Sequence, residues 1–237
     1  MYNFSKRFLD IVVSLLALII LIPILLPVVI ILRFSAEGYV FYFQDRIGKN
    51  RINFKIIKFA TMLKDSPNLA SGSITLSGDW RVTKPGKILR KTKINELPQI
   101  INILKGDISL VGPRPLVTRT FTAYNEEVQS KIYNVQPGLT GIGSIIFRDE
   151  ESIISAVKDE DPHEFYKRII APYKGELEIW YQSNRSFLLD IQLIFMTAWV
   201  IFFPKSNLIF KLFKDLPKKK IFKMNTYDNI SFLFGAF

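Results

Sequence analysis

The sequence predicts a mainly α protein with a small β-hairpin, in which an N-terminal membrane helix precedes a compact cytosolic domain. Three observations predict this class. Residues 11–32 form an uncharged apolar run, residues 40–59 have the pattern of a hairpin, and apolar residues recur at helical spacing beyond residue 95. We therefore divide the chain into a membrane helix (1–34), a cytosolic domain (35–204) and a basic tail (205–237).

The run from residue 11 to residue 32 is long enough to cross the hydrocarbon core of a bilayer as a helix. Lys6 and Arg7 precede it and Arg33 follows it. Because basic flanks prefer the cytoplasm, positive charge at both ends favours a helix that enters the membrane and returns to the same face. We predict that this re-entrant helix breaks near Pro23, since an internal proline removes a backbone hydrogen bond. A single span with a kink is the alternative.

The next segments predict the elements of the cytosolic domain. Residues 40–44 and 54–59 predict the two strands of the hairpin, and the serine- and glycine-rich stretch 66–87 predicts a loop. Residues 126–131 predict a polar helix. Residues 172–203 predict a helical region whose apolar end is too short to span a membrane, so that it lies along the membrane interface or in the core.

Composition limits the chemistry that this domain can perform. The 237 residues include no cysteine and one histidine, which excludes thiolate catalysis, cysteine zinc sites and multi-histidine metal sites. Carboxylates, lysines and arginines would have to act, and a metal would be a hard ion such as Mg²⁺. The net charge of +11 indicates anionic partners. No nucleic-acid-binding module is recognisable, so we expect lipid and phosphorylated substrates but no nucleic acid.

The segment KTKINELPQI, residues 91–100, predicts a helix start. Asn95 suits the N-cap position, and Glu96 suits the first turn, where a carboxylate favours the helix dipole. Lys91 and Lys93 lie just before this end, so an anion would be stabilised there. One apolar face at i, i+3, i+4, i+7 spacing follows: Leu97, Ile100, Ile101 and Leu104.

Arg114 stands between two prolines in GDISLVGPRP, where glycine and proline predict a compact loop. A guanidinium group fixed in this way is suited to bidentate binding of phosphate. Pairing with a nearby carboxylate is an equal alternative from this motif. In the tail, lysines interleaved with apolar and aromatic residues predict adhesion to anionic lipid: Lys205, Lys211, Lys214, Lys218, Lys219, Lys220 and Lys223.

Taken in order, the motifs FQDRIGK, KFATM, ELPQ, GDISLVGPRP and PGLTG resemble the bacterial sugar transferases, the monotopic phosphoglycosyl transferases. The resemblance extends from about Lys6 to Pro204. It implies a re-entrant helix hinged at Pro23 and a location on the cytoplasmic face of the bacterial inner membrane. It also implies transfer of a sugar-1-phosphate from a UDP-sugar to polyprenyl (undecaprenyl) phosphate with release of UMP, using Mg²⁺, as the first membrane step of cell-surface glycan assembly. A homodimer or a glycosyltransferase partner would fit that role.

The same resemblance assigns roles to single residues. Glu96 would be the acidic member of the catalytic dyad and a Mg²⁺ contact, with Asn95 as the other dyad position. Glu178 stands where an aspartate is common. The substrate phosphates would be bound by four cations: Arg114, Arg90, Lys58 and Arg148.

The chain departs from the family pattern at the position that matters most. Asn95 replaces the nucleophilic aspartate, and an amide is a poor nucleophile. Ala60, Ser144 and Ile22 replace an arginine, a glutamine and a serine. Either Glu96 attacks instead, or polyprenyl phosphate displaces UMP directly, or the protein is an inactive membrane scaffold. Because the ELPQ and GPRP motifs are intact, we predict an active variant, with the scaffold as the alternative.

Overall fold

The computed structural model describes residues 1–35, 37–66, 79–157 and 160–217. Its strands are β1 (Phe41–Ile47), β2 (Asn53–Phe59), β3 (Ser109–Val111) and β4 (Gly138–Thr140). Its α-helices are α1 (Tyr2–Phe34), α2 (Lys84–Lys91), α3 (Gln99–Lys105), α4 (Thr118–Phe121), α5 (Glu126–Lys131), α6 (Ile142–Ile146), α7 (Glu150–Ser155), α8 (Pro162–Phe165), α9 (Ala171–Asn184), α10 (Phe187–Phe202) and α11 (Leu208–Leu212). The mainly helical class with a small sheet is confirmed.

The predicted hairpin is confirmed, since β1 and β2 pair antiparallel with Phe41 opposite Phe59. A second, parallel pair joins β3 to β4. Asn102, buried on α3, ties the hairpin to that helix because its amide accepts from the N–H of Ile57 at 2.9 Å and donates to the carbonyl of Lys55 at 2.8 Å. These two bonds hold β2 against α3.

Helix α1 contains the predicted membrane run. Among the described helices it alone is long and apolar enough to cross a membrane, with a mean hydropathy of 3.4 in its most apolar 18-residue window. Only 6% of that window is buried, so α1 is not a core helix. The helix is continuous from Tyr2 to Phe34 with Pro23 inside it, and the predicted break at Pro23 is therefore not confirmed.

Both ends of α1 contact the same globular body. Near its start, Arg7 donates to two carbonyl groups of α3 at 2.6 and 2.8 Å, and Asp10 accepts from two groups of β3 at 3.0 and 2.9 Å. Near its end, Leu32 is buried against Phe59 of β2 and Leu89 of α2. The apolar middle of the helix remains largely exposed.

The main core lies between the helices of the C-terminal half. Fully buried side chains from α6, α9 and α10 meet there, among them Ile142, Leu177, Leu193 and Met196. The opposite face of α10 is apolar and exposed, with Phe202 77% exposed. An apolar face that no described residue covers is consistent with the first of the two predicted positions of this helix, along the membrane interface.

One predicted region has an internal break, and one predicted boundary was wrong. The region 172–203 is helical, as predicted, but it consists of two helices, because the backbone becomes extended at Ser186, whose hydroxyl caps α10 by accepting from the N–H of Leu189 at 3.1 Å. The predicted loop 66–87 ends earlier, since Thr83 caps α2 by accepting from the N–H of Gly86 at 3.1 Å. Residues 67–78 of that loop lie outside the described residues, as do the tail lysines from position 218 onward.

Candidate active site

The centre of the site is an ion pair between Glu96 and Arg114. Nη2 of Arg114 donates to Oε1 of Glu96 at 2.8 Å, and Nζ of Lys58 lies 3.9 Å from the same oxygen. All three side chains are half-buried, between 15% and 34% exposed. Of the two alternatives for Arg114, phosphate binding and pairing with a carboxylate, the structure shows the second. The carboxylate is that of Glu96, which is itself a predicted site residue.

Local backbone geometry explains how Glu96 reaches this position. Lys93 has a left-handed conformation with φ of 60°, which turns the chain sharply after α2. A 3-10 turn, Ile94–Glu96, follows, and α3 begins only at Gln99. Lys58 reaches the turn from β2, which packs against it.

The prediction that Asn95 caps a helix is wrong. Asn95 lies inside the 3-10 turn, and its side chain makes no capping bond, because Lys93 precedes the turn and Pro98 precedes α3. The residue is buried, at 8% exposure. Its Oδ1 atom has no hydrogen-bond partner among the described residues. A buried acceptor without a partner costs free energy, and a ligand would satisfy it.

The loop that carries Arg114 is held by backbone contacts between two motifs that are distant in sequence. Gly112 donates to the carbonyl of Thr140 at 2.9 Å, and Gly138 donates to the carbonyl of Pro113 at 2.8 Å. A Cβ atom at Gly112 would overlap the carbonyl of Gln136, so the chains can approach this closely only with glycine there. GPRP and PGLTG are therefore one structural unit.

The site contains more basic than acidic side chains. Burial alone would raise the pKa of Glu96, but the charges of Arg114 and Lys58 outweigh it and hold that pKa well below its usual value. The pKa of Arg114 is raised, first by the charge of Glu96. Burial lowers the pKa of Lys58 to about 7, opposed by Glu96 and assisted by Arg46 and Arg114. Glu96 is therefore ionised at neutral pH.

Arg46 is a site residue that the sequence reasoning missed. It extends from β1 and donates to the carbonyl of Pro115 at 3.1 Å, while its Nε atom has no hydrogen-bond partner among the described residues. Burial and, to a smaller extent, the charge of Arg114 lower its pKa to about 10. The sequence contained a pattern that could have identified Arg46. It is the arginine of FQDRIGK, and because Tyr42, Gln44 and Arg46 occupy every second position of β1, they lie on the same face of the strand.

Tyr133 is a second residue that was missed. Its hydroxyl donates to the carbonyl of Arg114 at 2.9 Å and accepts from the N–H of Leu116 at 2.8 Å. The ring is 2% exposed and stacks on Phe121 with centroids 5.7 Å apart. No local sequence pattern marks this residue, since its partners lie 17 and 19 positions earlier.

The other predicted site residues make their described contacts outside the ion pair. Arg90, on α2, is 3.4 Å from Glu151 and adds to the positive charge acting on Lys58. Arg148 donates to the carbonyl of Val200 in α10 and lies 3.6 Å from Asp149, with no described contact to Glu96 or Arg114. Pro23 is exposed on α1.

Glu178 forms the centre of a separate buried cluster. It is 1% exposed, and neither carboxylate oxygen makes a well-aligned hydrogen bond among the described residues, although the backbone N–H of Gly143 lies close enough to lower its pKa. Burial raises its pKa to about 7, although the charge of Lys174 opposes this. Lys174, one turn earlier on α9, is itself buried and pairs with Glu150. That pair also acts on Arg114, whose pKa is raised in part by Glu150.

The oxygen donors of the site determine which metal ion it could hold. No group of three or more histidine, cysteine or acidic side chains converges among the residues that the structure describes. In the 3-10 turn that carries the ion pair, the side-chain oxygen donors are the carboxylate of Glu96 and the unpartnered amide oxygen of Asn95. This set fits Mg²⁺, which commonly takes one or two protein ligands and completes its shell with substrate phosphates and water.

The comparisons with known proteins agree on one family. The sequence profile of the family described as "Bacterial sugar transferase" matches residues 1–204. A UDP-N-acetylgalactosamine-undecaprenyl-phosphate N-acetylgalactosaminephosphotransferase of Aeromonas hydrophila is 34% identical over 84% of this chain and 44% of its own length. The exopolysaccharide production protein ExoY of Sinorhizobium fredii is 33% identical over 81% of this chain and 83% of its own length.

A third relative is the UDP-glucose:undecaprenyl-phosphate glucose-1-phosphate transferase of Caulobacter vibrioides, 38% identical over 60% of this chain and 54% of its own length. The chain thus spans less than half of the Aeromonas protein, about half of the Caulobacter protein and most of the rhizobial protein.

Proposed function

Because this chain belongs to the bacterial sugar transferase family, we propose that it transfers a sugar-1-phosphate from a UDP-sugar to undecaprenyl phosphate and releases UMP. An oxygen of the acceptor phosphate forms a bond to the β-phosphorus of the UDP-sugar. The bond from that phosphorus to the bridging oxygen breaks, and UMP leaves with the electron pair. The product, a polyprenyl diphosphosugar, is the starting lipid for assembly of a cell-surface glycan.

The observation that carries this proposal is the arrangement of Arg114, Lys58 and Arg46 around the single carboxylate of Glu96. The two arginines outnumber the single carboxylate, and Lys58 adds positive charge when it is protonated, so the half-buried site keeps a net positive charge, which suits a diphosphate. Arg114 uses one N–H donor for Glu96 in its described contacts, so further donors are free for phosphate oxygens. Such fixed donors stabilise the charge that develops on a phosphoryl group during transfer.

We further propose direct attack by the acceptor phosphate. Asn95 cannot readily form an acyl phosphate, and Glu96 is a weak nucleophile because its oxygen is engaged by Arg114 and its pKa is held low. In this scheme Glu96 fixes the orientation of Arg114 and Lys58. The amide of Asn95 contributes hydrogen bonds to the reacting phosphates.

Mg²⁺ is proposed as the cofactor. Glu96 and Asn95 would hold it, together with oxygens of the diphosphate. When bound, the ion neutralises charge on the diphosphate of the donor substrate.

A location on the cytoplasmic face of the inner membrane completes the proposal, with α1 entering and leaving the bilayer on one side. The contacts of Arg7 and Leu32, near the two ends of α1, with one globular body support this topology. The basic residues Lys6, Arg7 and Arg33 flanking the apolar run support the cytoplasmic assignment.

Release of UMP from a panel of UDP-sugars in the presence of undecaprenyl phosphate and Mg²⁺ tests the function. We expect release with at least one UDP-sugar by the wild-type protein and none by Glu96→Gln. Glu126→Gln, on the exposed surface of α5, is the matched control and should retain activity. Absence of UMP with every sugar would refute the enzymatic proposal and favour a membrane scaffold.

A further inference from the structure

A cavity of about 300 Å³ lies where α1 starts, and it includes none of the residues placed in the candidate active site. Its wall combines the first turns of α1, the hairpin tip, the junction of α3 with β3 and the C-terminal end of α9. The volume is at the small end of ligand sites, which suits a headgroup better than a nucleotide sugar.

The charges around this cavity are predominantly positive. The lining cations are Lys6, Arg7, Lys49 and Arg185. The acidic group in the described lining, Asp10, is already engaged by β3, where it accepts from the hydroxyl of Ser109 and an N–H.

Two of these cations are fixed and two are free to bind a ligand. Lys6 pairs with Asp190 at 2.7 Å, and Arg7 donates to carbonyls of α3. Lys49 and Arg185 are exposed and have no acidic partner among the described residues, and Arg185 lies over the ring of Tyr2 at 5.9 Å. A cavity with two unpaired cations at its rim attracts an anion, because the lining carboxylate of Asp10 is already bonded to β3 and does not pair with either cation.

Exposed apolar side chains adjoin the lining residues on both neighbouring helices. Phe4 and Phe8, on α1, are 79% and 63% exposed. Phe187 and Leu188, which follow Arg185 at the start of α10, are 42% and 66% exposed. Aromatic residues beside basic ones are typical of the membrane–water interface, so a ligand with acyl chains could place its phosphate in the cavity and its chains along these side chains.

We propose that this cavity is a phosphate-binding site separate from the catalytic centre, and that it takes the phosphate of an anionic phospholipid headgroup. Lys49 and Arg185 bind the phosphate, while Lys6 and Arg7 fix the wall behind it. Occupation of the site would anchor the start of α1 to the membrane surface.

The test uses the whole 237-residue chain in an uncharged detergent. Short-chain phosphatidylglycerol, short-chain phosphatidylcholine and inorganic phosphate are titrated separately, and the ligand-induced rise of Tm gives an apparent Kd. The double variant Lys49→Ala/Arg185→Ala is compared with Lys55→Ala/Arg119→Ala, which removes the same two charges from exposed positions outside the cavity.

We expect roughly fivefold weaker phosphatidylglycerol binding for each cavity cation removed, and no comparable loss in the matched control. Binding of phosphatidylglycerol that is tighter than that of inorganic phosphate and of phosphatidylcholine supports the lipid source. Equally tight binding of inorganic phosphate supports the same site with a soluble ligand and overturns the lipid assignment. Equal binding by the wild type and the cavity variant overturns the site itself.

Discussion

The hydroxyl of Tyr133 holds Arg114 by its main chain, donating to the Arg114 carbonyl at 2.9 Å while accepting from the N–H two residues later at 2.8 Å. The side chain of Arg114 is thereby left free to engage Glu96. Since the ring of Tyr133 is packed in the core, the position of Arg114 is coupled to core packing.

Removing the Tyr133 hydroxyl should weaken both stability and turnover. Tyr133→Phe leaves a buried N–H and a carbonyl without their partner, which costs about 1–3 kcal/mol of unfolding free energy. We expect lower kcat in the UMP assay, because Arg114 is less well positioned. Tyr39→Phe is the control, since that ring is 46% exposed and has no described hydrogen bond through its hydroxyl. A loss of stability with unchanged kcat would assign Tyr133 a purely structural role.

Arg114→Ala should reduce turnover on the order of a hundredfold or more, because it removes fixed charge stabilisation worth a few kcal/mol. Arg114→Lys should remain poor, since an ammonium group cannot reproduce a planar guanidinium fork. Steady-state kcat/KM of the purified variants measures both effects. Arg119→Ala, exposed on α4, should behave as the wild type. Full activity in Arg114→Ala would remove this residue from the mechanism.

Asn95 variants distinguish direct displacement from a covalent route. With direct attack both substrates must be bound together, so initial-rate kinetics should be sequential and no phosphosugar should remain on the protein. Asn95→Ala should keep some activity, whereas Asn95→Asp supplies a carboxylate and should allow a covalent adduct detectable by mass spectrometry. An adduct isolated from the unmodified protein would contradict direct displacement, and its attachment to Glu96 would identify the nucleophile.

Labelling with impermeant thiol reagents tests the topology of α1. The chain has no cysteine, so Asn3→Cys introduces one reactive thiol in the first turn of α1 and Tyr39→Cys introduces one beyond its C-terminal end. We expect both to be protected in intact cells and both to react in inverted vesicles. Labelling of Asn3→Cys from outside intact cells would establish a span that crosses the membrane.

Glu178 should make stability depend on pH. Burial raises its pKa from 4.5 to about 7, so between these values the folded protein keeps a proton that the unfolded chain releases. Its stabilising contribution is fully present below pH 4.5 and is lost as pH rises to about 7. Glu178→Gln cannot lose that proton. Its Tm relative to wild type should therefore rise across this window, whereas a constant difference at all pH values would contradict the assignment.

Local chemistry accounts for most of what could be predicted before the fold was known. The hairpin, the polar helix at 126–131 and the long apolar helix depend on alternation, helical spacing and the length of an uncharged run, which are properties of neighbouring residues. Glu96 and Arg114 could be singled out because ELPQ and GPRP are short motifs with their own turn chemistry.

Backbone conformation and long-range contacts decided the rest. The left-handed backbone at Lys93 moved the helix start from Asn95 to Gln99, and the packing of β2 against this turn brought Lys58 to Glu96. Arg46 and Tyr133 enter the site only because they contact backbone groups of the Arg114 loop, 69 and 19 residues away in sequence. Periodicity describes which face of an element is apolar, whereas such contacts depend on how separate elements pack against one another in space.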